Sequence, residues 1–170
     1  MGEKDTMATR QINVHRFSIT SSKPFGEVVE ATEAAIGHPD MSAFGKNITS
    51  AKSFANVETV VHRATGASGF MEFIRFDFGE ILQKDRGEKV PRSLRIVIGN
   101  PLIMKQLVEH VPDAGSYAPV TILIDERTDG VHLAYDRMAS FLASYGNADA
   151  LKVAQELDAK VESLLAAAAK

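Results

Sequence analysis

The sequence has 170 residues, of which 45% are hydrophobic and 24% charged, with a formal net charge of −3. This length and composition are typical of one globular domain with a substantial core, and the negative charge without a basic stripe argues against nucleic-acid binding. The chain contains no cysteine, which excludes disulfides, thiolate metal ligands and a cysteine nucleophile.

The N-terminal residues and the overall hydropathy indicate where in the cell the protein is expected. No run of about eighteen apolar residues occurs, so the sequence predicts no transmembrane helix and no membrane partner. The first residues are charged and lack the apolar core of a secretory signal, which predicts a cytoplasmic protein. We expect residues 1–10 to be a disordered leader, with either Met1 or Met7 as the translation start.

The first strand and helix are predicted from hydrophobic period. Residues 12–20 alternate between apolar and polar side chains, as in a strand with one buried face. A helix opens after Pro24, and Gly37 stands where a left-handed C-cap is expected.

The segment 38–69 is less regular. A short amphipathic helix over about residues 56–64 is predicted by four apolar residues at helical spacing, namely Phe54, Val57, Val60 and Val61. Because these side chains need burial, we expect the segment to cover a sheet edge, a cleft or a dimer seam.

The rest of the sheet is predicted from apolar runs and alternation at four places, namely residues 70–78, 94–99, 120–126 and 131–136. Asn100 is a good N-cap and Pro101 suits the first helical position, so a helix follows the third strand and ends at Pro112. The Asp129-Gly130 turn pairs the last two strands as a hairpin.

The clearest helix is C-terminal. Asn147 can cap it, and its apolar residues form one stripe over residues 147–170. A stripe of this length needs a partner surface, which is either the domain itself or a second copy of the chain.

Together these elements predict an α+β, two-layer domain: a mixed, mostly antiparallel five-stranded sheet packed with helices and completed by the long C-terminal helix. The domain spans residues 11–146 with the inserted helical segment 38–69, and residues 147–170 pack on the domain or on a dimer partner. A homodimer is expected because one sheet has only two faces to receive all the apolar helix stripes.

Four motifs follow one another along the chain between Arg16 and Leu142. They are RFSITSSKPFGEVVEATEAAIG, FIRFDFGEILQKDRGEKVP, IVIGNPLIMKQL and PDAGSYAP followed by Asp-Gly and a tyrosine. In this order they resemble the family described as domain of unknown function 302, with the TT1751-like fold. The resemblance implies a small α/β domain that is commonly dimeric and has no established role.

This chain departs from that family in two places. The segment 38–69 is longer than the usual connection after the first helix. Some relatives carry Cys or His at positions that here hold Phe78, Gly99 and Asn100, so the resemblance implies no thiol or imidazole chemistry.

Three positions carry alternative interpretations. Arg75 and Asp77 lie two apart on one strand face. They are interpreted either as a charged pair inside a pocket, or as an ion pair on the strand surface, or with Asp77 capping the turn at Gly79. Asn100 stands between the end of a strand and the start of a helix. Its two interpretations are an anion-binding site at the helix N-terminus and a structural N-cap.

Other chemistry finds little support in the sequence. The five histidines form no ligand spacing, so no metal site is predicted, and there is no G-x-S-x-G elbow for a hydrolase. The phenylalanines and Tyr135 are most simply core, with an apolar ligand pocket as the alternative. No cofactor is identified.

The predicted ligand-binding residues are therefore Arg75, Asp77, Asn100 and Tyr135. The leading functional hypothesis is a small-molecule-binding or interaction module without identifiable catalysis. The alternatives are an enzyme with Asp77 as general base beside the other three residues, and a structural dimerisation module.

Overall fold

The computed structural model describes residues 7–170 and contains five strands and seven α-helices in this range. The strands are β1 (Arg16–Ser21), β2 (Met71–Asp77), β3 (Ser93–Gly99), β4 (Val120–Arg127) and β5 (Gly130–Asp136). The helices are α1 (Phe25–Ala35), α2 (Met41–Ser50), α3 (Phe54–Ala64), α4 (Phe78–Arg86), α5 (Pro101–His110), α6 (Met138–Leu142) and α7 (Ala148–Ala169). Residues 1–6, the first part of the predicted leader, lie outside the described range, whereas residues 7–15 precede β1 without regular secondary structure.

The five strands form one sheet in the order β1-β5-β4-β3-β2, and all four neighbouring pairs are antiparallel. β4 and β5 are joined by a tight turn in which Arg127 lies opposite Gly130, as predicted from Asp129-Gly130. Within residues 7–170, parallel pairing is confined to an isolated bridge between Gly37 and Met71. The α+β class and the single five-stranded sheet are thus confirmed.

One face of this sheet carries the hydrophobic core. Side chains alternate along each strand, so one set is fully buried beneath α1, α5 and α7, including Ile96, Ile122 and Leu133. The alternate set, which includes Arg95 and Leu123, lies on the opposite face and is partly or largely exposed. We call this second surface the open face; antiparallel sheets tolerate such exposure because only one side must be apolar.

The C-terminal helix α7 packs on its own chain. Its stripe is buried in the same core cluster as the sheet, with Val161 and Leu165 fully covered. Asn147 caps it by accepting a hydrogen bond from the amide of Ala150 at 2.9 Å. The apolar stripe of α7, which the sequence predicted to need a partner surface, is therefore covered within one protomer.

The prediction for Gly37 is wrong. α1 ends at Ala35, its C-cap residue Ile36 is extended, and Gly37 does not have a left-handed backbone. A Cβ on Gly37 would lie 1.9 Å from the carbonyl oxygen of Ala64. Glycine is therefore needed for the close approach of two backbone segments and not for its φ angle.

The second strand is shorter than predicted. It ends at Asp77, and α4 begins at Phe78, where the sequence predicted continued strand. The carboxylate of Asp77 accepts the amide of Glu80 at 2.8 Å, so an N-cap switches the chain from strand to helix. The helices α2 and α6 were likewise not predicted.

The segment 38–69 contains α2 and α3, and α3 includes the predicted helix. Val61 and Ala64 of α3 are buried, whereas α2 buries no residue. Phe54, which was expected to need burial, is 51% exposed and contacts Lys105 through its ring. Among residues 7–170, no helix is both long and apolar enough to cross a bilayer.

Candidate functional site

Arg75 lies on the helix-covered side of β2. An irregularity between Glu72 and Ile74 interrupts the alternation, so Glu72 and Arg75 both lie on that side. The guanidinium donates to Glu72 Oε1 at 2.7 Å and also pairs with Glu33 of α1. These carboxylates, Glu72 first, raise the pKa of Arg75. Its charge is already balanced by two acids.

Asp77 and Asn100 both serve as helix caps. The cap of α4 by Asp77 is described above. Asn100 Oδ1 accepts the amide of Leu102 at 2.9 Å, and its Nδ2 donates to the carbonyl of Gly69 at 2.9 Å. The oxygen and the nitrogen of this side-chain amide each have a backbone hydrogen-bond partner, so the role of structural cap accounts for both polar atoms of Asn100.

Tyr135 lies in the core, where its hydroxyl donates to Asp158 Oδ1 at 2.7 Å. Asp158 of α7 also accepts the amides of Met138 at 2.7 Å and Ala139 at 3.1 Å, which begin α6. Burial raises the pKa of the Tyr135 hydroxyl. Burial also raises the pKa of the Asp158 carboxyl, despite the opposing effect of these hydrogen bonds.

Asp158 was missed by the sequence reasoning. A carboxylate between Leu157 and Val161, inside the apolar stripe of α7, was the available indication. A buried acid on such a stripe needs hydrogen-bond partners.

The structure does not bring the four predicted residues into one pocket. Asp77 pairs with Leu94 at one end of the β2–β3 ladder, whereas Asn100 follows Gly99 at the other end. Tyr135 belongs to β5, which is separated from β3 by β4. Their common ligand-binding role stays a prediction, and each has structural partners that explain it.

A cleft of about 540 Å³ lies on the open face. Leu123 and Ala134 contribute apolar side chains to it. Tyr117 and Phe141 also line it, with their rings stacked at a centroid distance of 4.8 Å. The other lining residues are Arg16, Phe78, Arg95, Ser116, Pro119, Val120, Thr121, Tyr135 and Asp136. We call this the open-face cleft; Tyr135 is its only member from the predicted set, and the Tyr135 hydroxyl is directed to Asp158.

The charges on the open face are paired with one exception. Arg16 donates to both oxygens of Asp136, at 2.6 and 2.9 Å, and this contact raises the pKa of Arg16. Arg127 pairs with Asp125 at 2.6 Å. Arg95 donates to Thr121 Oγ1 at 3.3 Å, and no carboxylate among residues 7–170 forms an ion pair with it.

The setting of Arg95 combines charge with aromatic surface. It lies opposite Phe76 and Leu123 in the ladders on either side of β3, and its guanidinium is 5.7 Å from the Phe76 ring centroid. An uncompensated guanidinium beside apolar and aromatic walls can hold an anionic group while the walls cover an apolar body.

A second cleft of about 530 Å³ lies between α2 and α3, with Phe44 and Val60 among its apolar and Lys52 and Arg63 among its charged side chains. This cleft is formed within residues 39–64, whereas the open-face cleft joins residues from several strands and loops. Within residues 7–170, no group of three or more His, Asp or Glu side chains is placed to hold a metal ion.

Comparison with known proteins identifies a family and a solved structure with a similar fold. The family model described as "Domain of unknown function DUF302" matches residues 46–168, which include nearly all of α7. The fold is similar to the crystal structure of an uncharacterised conserved protein DUF302 from Bacillus stearothermophilus, with a TM-score of 0.64 and 10% identity over 90% of this chain and 97% of that one. At that identity the similarity concerns the fold alone. No curated protein is significantly similar in sequence to this chain.

Proposed function

This chain belongs to the DUF302 family, a domain of unknown function, and we propose that it is a small-molecule-binding module that works as a homodimer. The binding site is the open-face cleft. The observation that supports this most is Arg95, a guanidinium without a carboxylate partner in the described chain, set beside aromatic and aliphatic side chains.

The ligand that fits this surface has a flat apolar body and one anionic group. Stacked Tyr117 and Phe141 offer a planar wall, and Leu123 and Ala134 offer aliphatic surface. Covering apolar area supplies about 25 cal/mol per Å². A charge-assisted contact with Arg95 then fixes the orientation of the ligand.

The geometry favours binding over catalysis. Asp136 is the one carboxylate that lines the open-face cleft, and Arg16 holds both of its oxygens. Asp77, the predicted general base of the enzyme alternative, does not line the cleft and accepts the Glu80 amide. The enzyme alternative therefore lacks a free base next to the proposed ligand.

The test uses 8-anilinonaphthalene-1-sulfonate, an aromatic anion whose fluorescence rises in apolar surroundings. We expect saturable binding to the wild-type protein. Replacing the charge in Arg95→Gln should weaken binding by about tenfold or more, because a hydrogen bond to a charged group contributes about 1.5–3 kcal/mol. Fluorescence titration measures both dissociation constants.

The matched control is Arg63→Gln, which removes an arginine from the α2–α3 cleft instead. This variant should bind the probe as the wild type does. Equal affinity of Arg95→Gln and wild type, or weakening by Arg63→Gln alone, would contradict the proposed site. Circular dichroism establishes that both variants are folded.

A further inference from the structure

Helix α4 leaves its apolar side uncovered. Of its nine residues only Gly79 is buried. Phe78, Ile81 and Leu82 are spaced so that they share one side of the helix, and they are 39%, 61% and 40% exposed. An amphipathic helix normally buries this side against its own domain.

The uncovered surface continues onto the preceding strand. Ile74 and Phe76 of β2 are 49% and 38% exposed, and the Phe76 and Phe78 rings stack at a centroid distance of 6.3 Å. Together with Phe78, Ile81 and Leu82 they form what we call the α4 patch. It holds five of the nine exposed large apolar side chains in residues 7–170, so exposure is concentrated here.

The charges around α4 are arranged to suit a second α4 in antiparallel orientation. Asp77 and Glu80 make its first turn acidic, whereas Lys84 and Arg86 outweigh Asp85 in the last turn, although Glu80 and Lys84 also pair within the helix at 2.7 Å. An antiparallel copy places the acidic end of one helix beside the basic end of the other. It also opposes the two helix dipoles.

We infer that the α4 patch is the contact between two copies of this chain, with the two α4 helices packed antiparallel across a two-fold axis near Ile81. This inference rests on the homodimer in the proposed function and names its surface. The balanced charges favour a second copy over a lipid surface or a nucleic acid, which would require a predominantly basic rim. A two-fold contact also closes, so every patch in the pair is covered.

The first experiment exploits the absence of cysteine from the chain. In Ile81→Cys the two introduced thiols lie near the two-fold axis, within the narrow distance range that a disulfide requires. Mild oxidation should therefore give a covalent dimer on a non-reducing gel. Gln83→Cys, an exposed position about 200° around the same helix, is the control and should crosslink at least about tenfold more slowly. Equal rates would overturn the antiparallel α4 contact.

The second experiment measures mass by multi-angle light scattering at micromolar concentration. The wild type should be a dimer, and Leu82→Glu should be a monomer that is still folded and unfolds cooperatively, because this side chain is not part of the core. Gln83→Glu should remain dimeric. A monomeric wild type, or a dimeric Leu82→Glu variant, would overturn the inference. Neither result removes the ligand site, because Leu82 does not line the open-face cleft.

Discussion

At the scale of single residues, Asp158 links three parts of the core. It projects from α7, accepts the hydroxyl of Tyr135 on β5, and caps α6 through the amides of Met138 and Ala139. The start of α6 has no side-chain cap of its own, since Arg137 precedes it. Asp158 thus supplies from a distant helix the acceptor that a local N-cap usually provides.

Removing this acceptor should be costly. Asp158→Ala leaves the buried Tyr135 hydroxyl without its acceptor and the Ala139 amide without a partner, and the Met138 amide keeps only its 3.2 Å hydrogen bond to the Tyr135 hydroxyl. We therefore expect the free energy of unfolding to fall by about 3 kcal/mol or more. Urea denaturation at neutral pH measures the loss. A matched exposed acid on the same helix, changed in Glu156→Ala, should alter stability by less than about 0.5 kcal/mol. Similar losses in the two variants would contradict the role of Asp158.

The same carboxyl predicts a pH dependence. Its pKa is raised in the folded protein above the ordinary 3.8, so the folded state binds the proton more tightly than the unfolded state. The resulting stabilisation is present below the unfolded pKa and is lost as pH rises through the folded pKa. Relative to Asp158→Asn, the wild type should gain stability as pH falls towards about 4. A constant difference between the two across this range would contradict the shift.

At the scale of elements, two glycines allow the segment after α1 and the segment after α3 to pack with their backbones in direct contact. Gly37 follows α1, and Gly66 follows α3. A Cβ on Gly66 would lie 2.5 Å from the carbonyl carbon of Ile36. Gly37 therefore faces the backbone just before Gly66, and Gly66 faces the backbone just before Gly37. The amides of Gly37 and Gly66 both donate to the carbonyl of Phe70, at 2.8 and 2.9 Å. This crossing fixes α3 beside the start of β2.

Alanine substitutions at two glycines should have opposite effects. Gly37→Ala drives a methyl group into the Ala64 carbonyl, and we expect a loss of about 3 kcal/mol because backbone cannot move aside cheaply. Gly45→Ala, within α2, meets nothing within 4 Å and should stabilise by up to about 1 kcal/mol through helix propensity. Thermal denaturation compares them. A tolerated Gly37→Ala would show that the crossing is looser than described.

The elements that the sequence predicted are those governed by local chemistry. The strands from Leu94 onward follow hydrophobic runs and a two-residue turn, and Asn100 and Asn147 cap their helices through atoms only two or three residues away. The start of α4 was missed because Phe76 and Phe78 continue the strand alternation, while the Asp77 cap ends it. The irregularity between Glu72 and Ile74, which places Glu72 and Arg75 on one side of β2, has no signal in the strand alternation either.

The candidate site depends on packing that no local pattern encodes. Arg75 and Asp77 were placed on the same side of β2, but the acid that holds Arg75 from α1 is 42 residues away in sequence. Arg95 alternates with core residues of β3, so the local sequence predicts only an ordinary surface residue at this position. Arg95 becomes a candidate binding residue only because the helices cover one face of the sheet and leave the other open.

At the scale of the whole molecule, the two faces of the sheet are used differently. The face beneath α1, α5 and α7 forms the core, with Ile96 and Ile122 fully buried. The open face holds the cleft with Arg95, and the α4 patch adjoins it through Phe76 and Phe78. We therefore expect ligand binding and self-association to occupy neighbouring surfaces of one protomer that meet at Phe78.

The most direct test of the central claim is to map the bound probe on the wild-type protein by backbone amide NMR. Adding 8-anilinonaphthalene-1-sulfonate should shift the amide resonances of the open-face cleft, above all those of Arg95, Thr121, Leu123 and Ala134. The amides of Ala43, Asn47 and Asn56 in the α2–α3 cleft should stay in place. Shifts concentrated in the α2–α3 cleft, or no saturable shifts at all, would contradict the open face as the binding site.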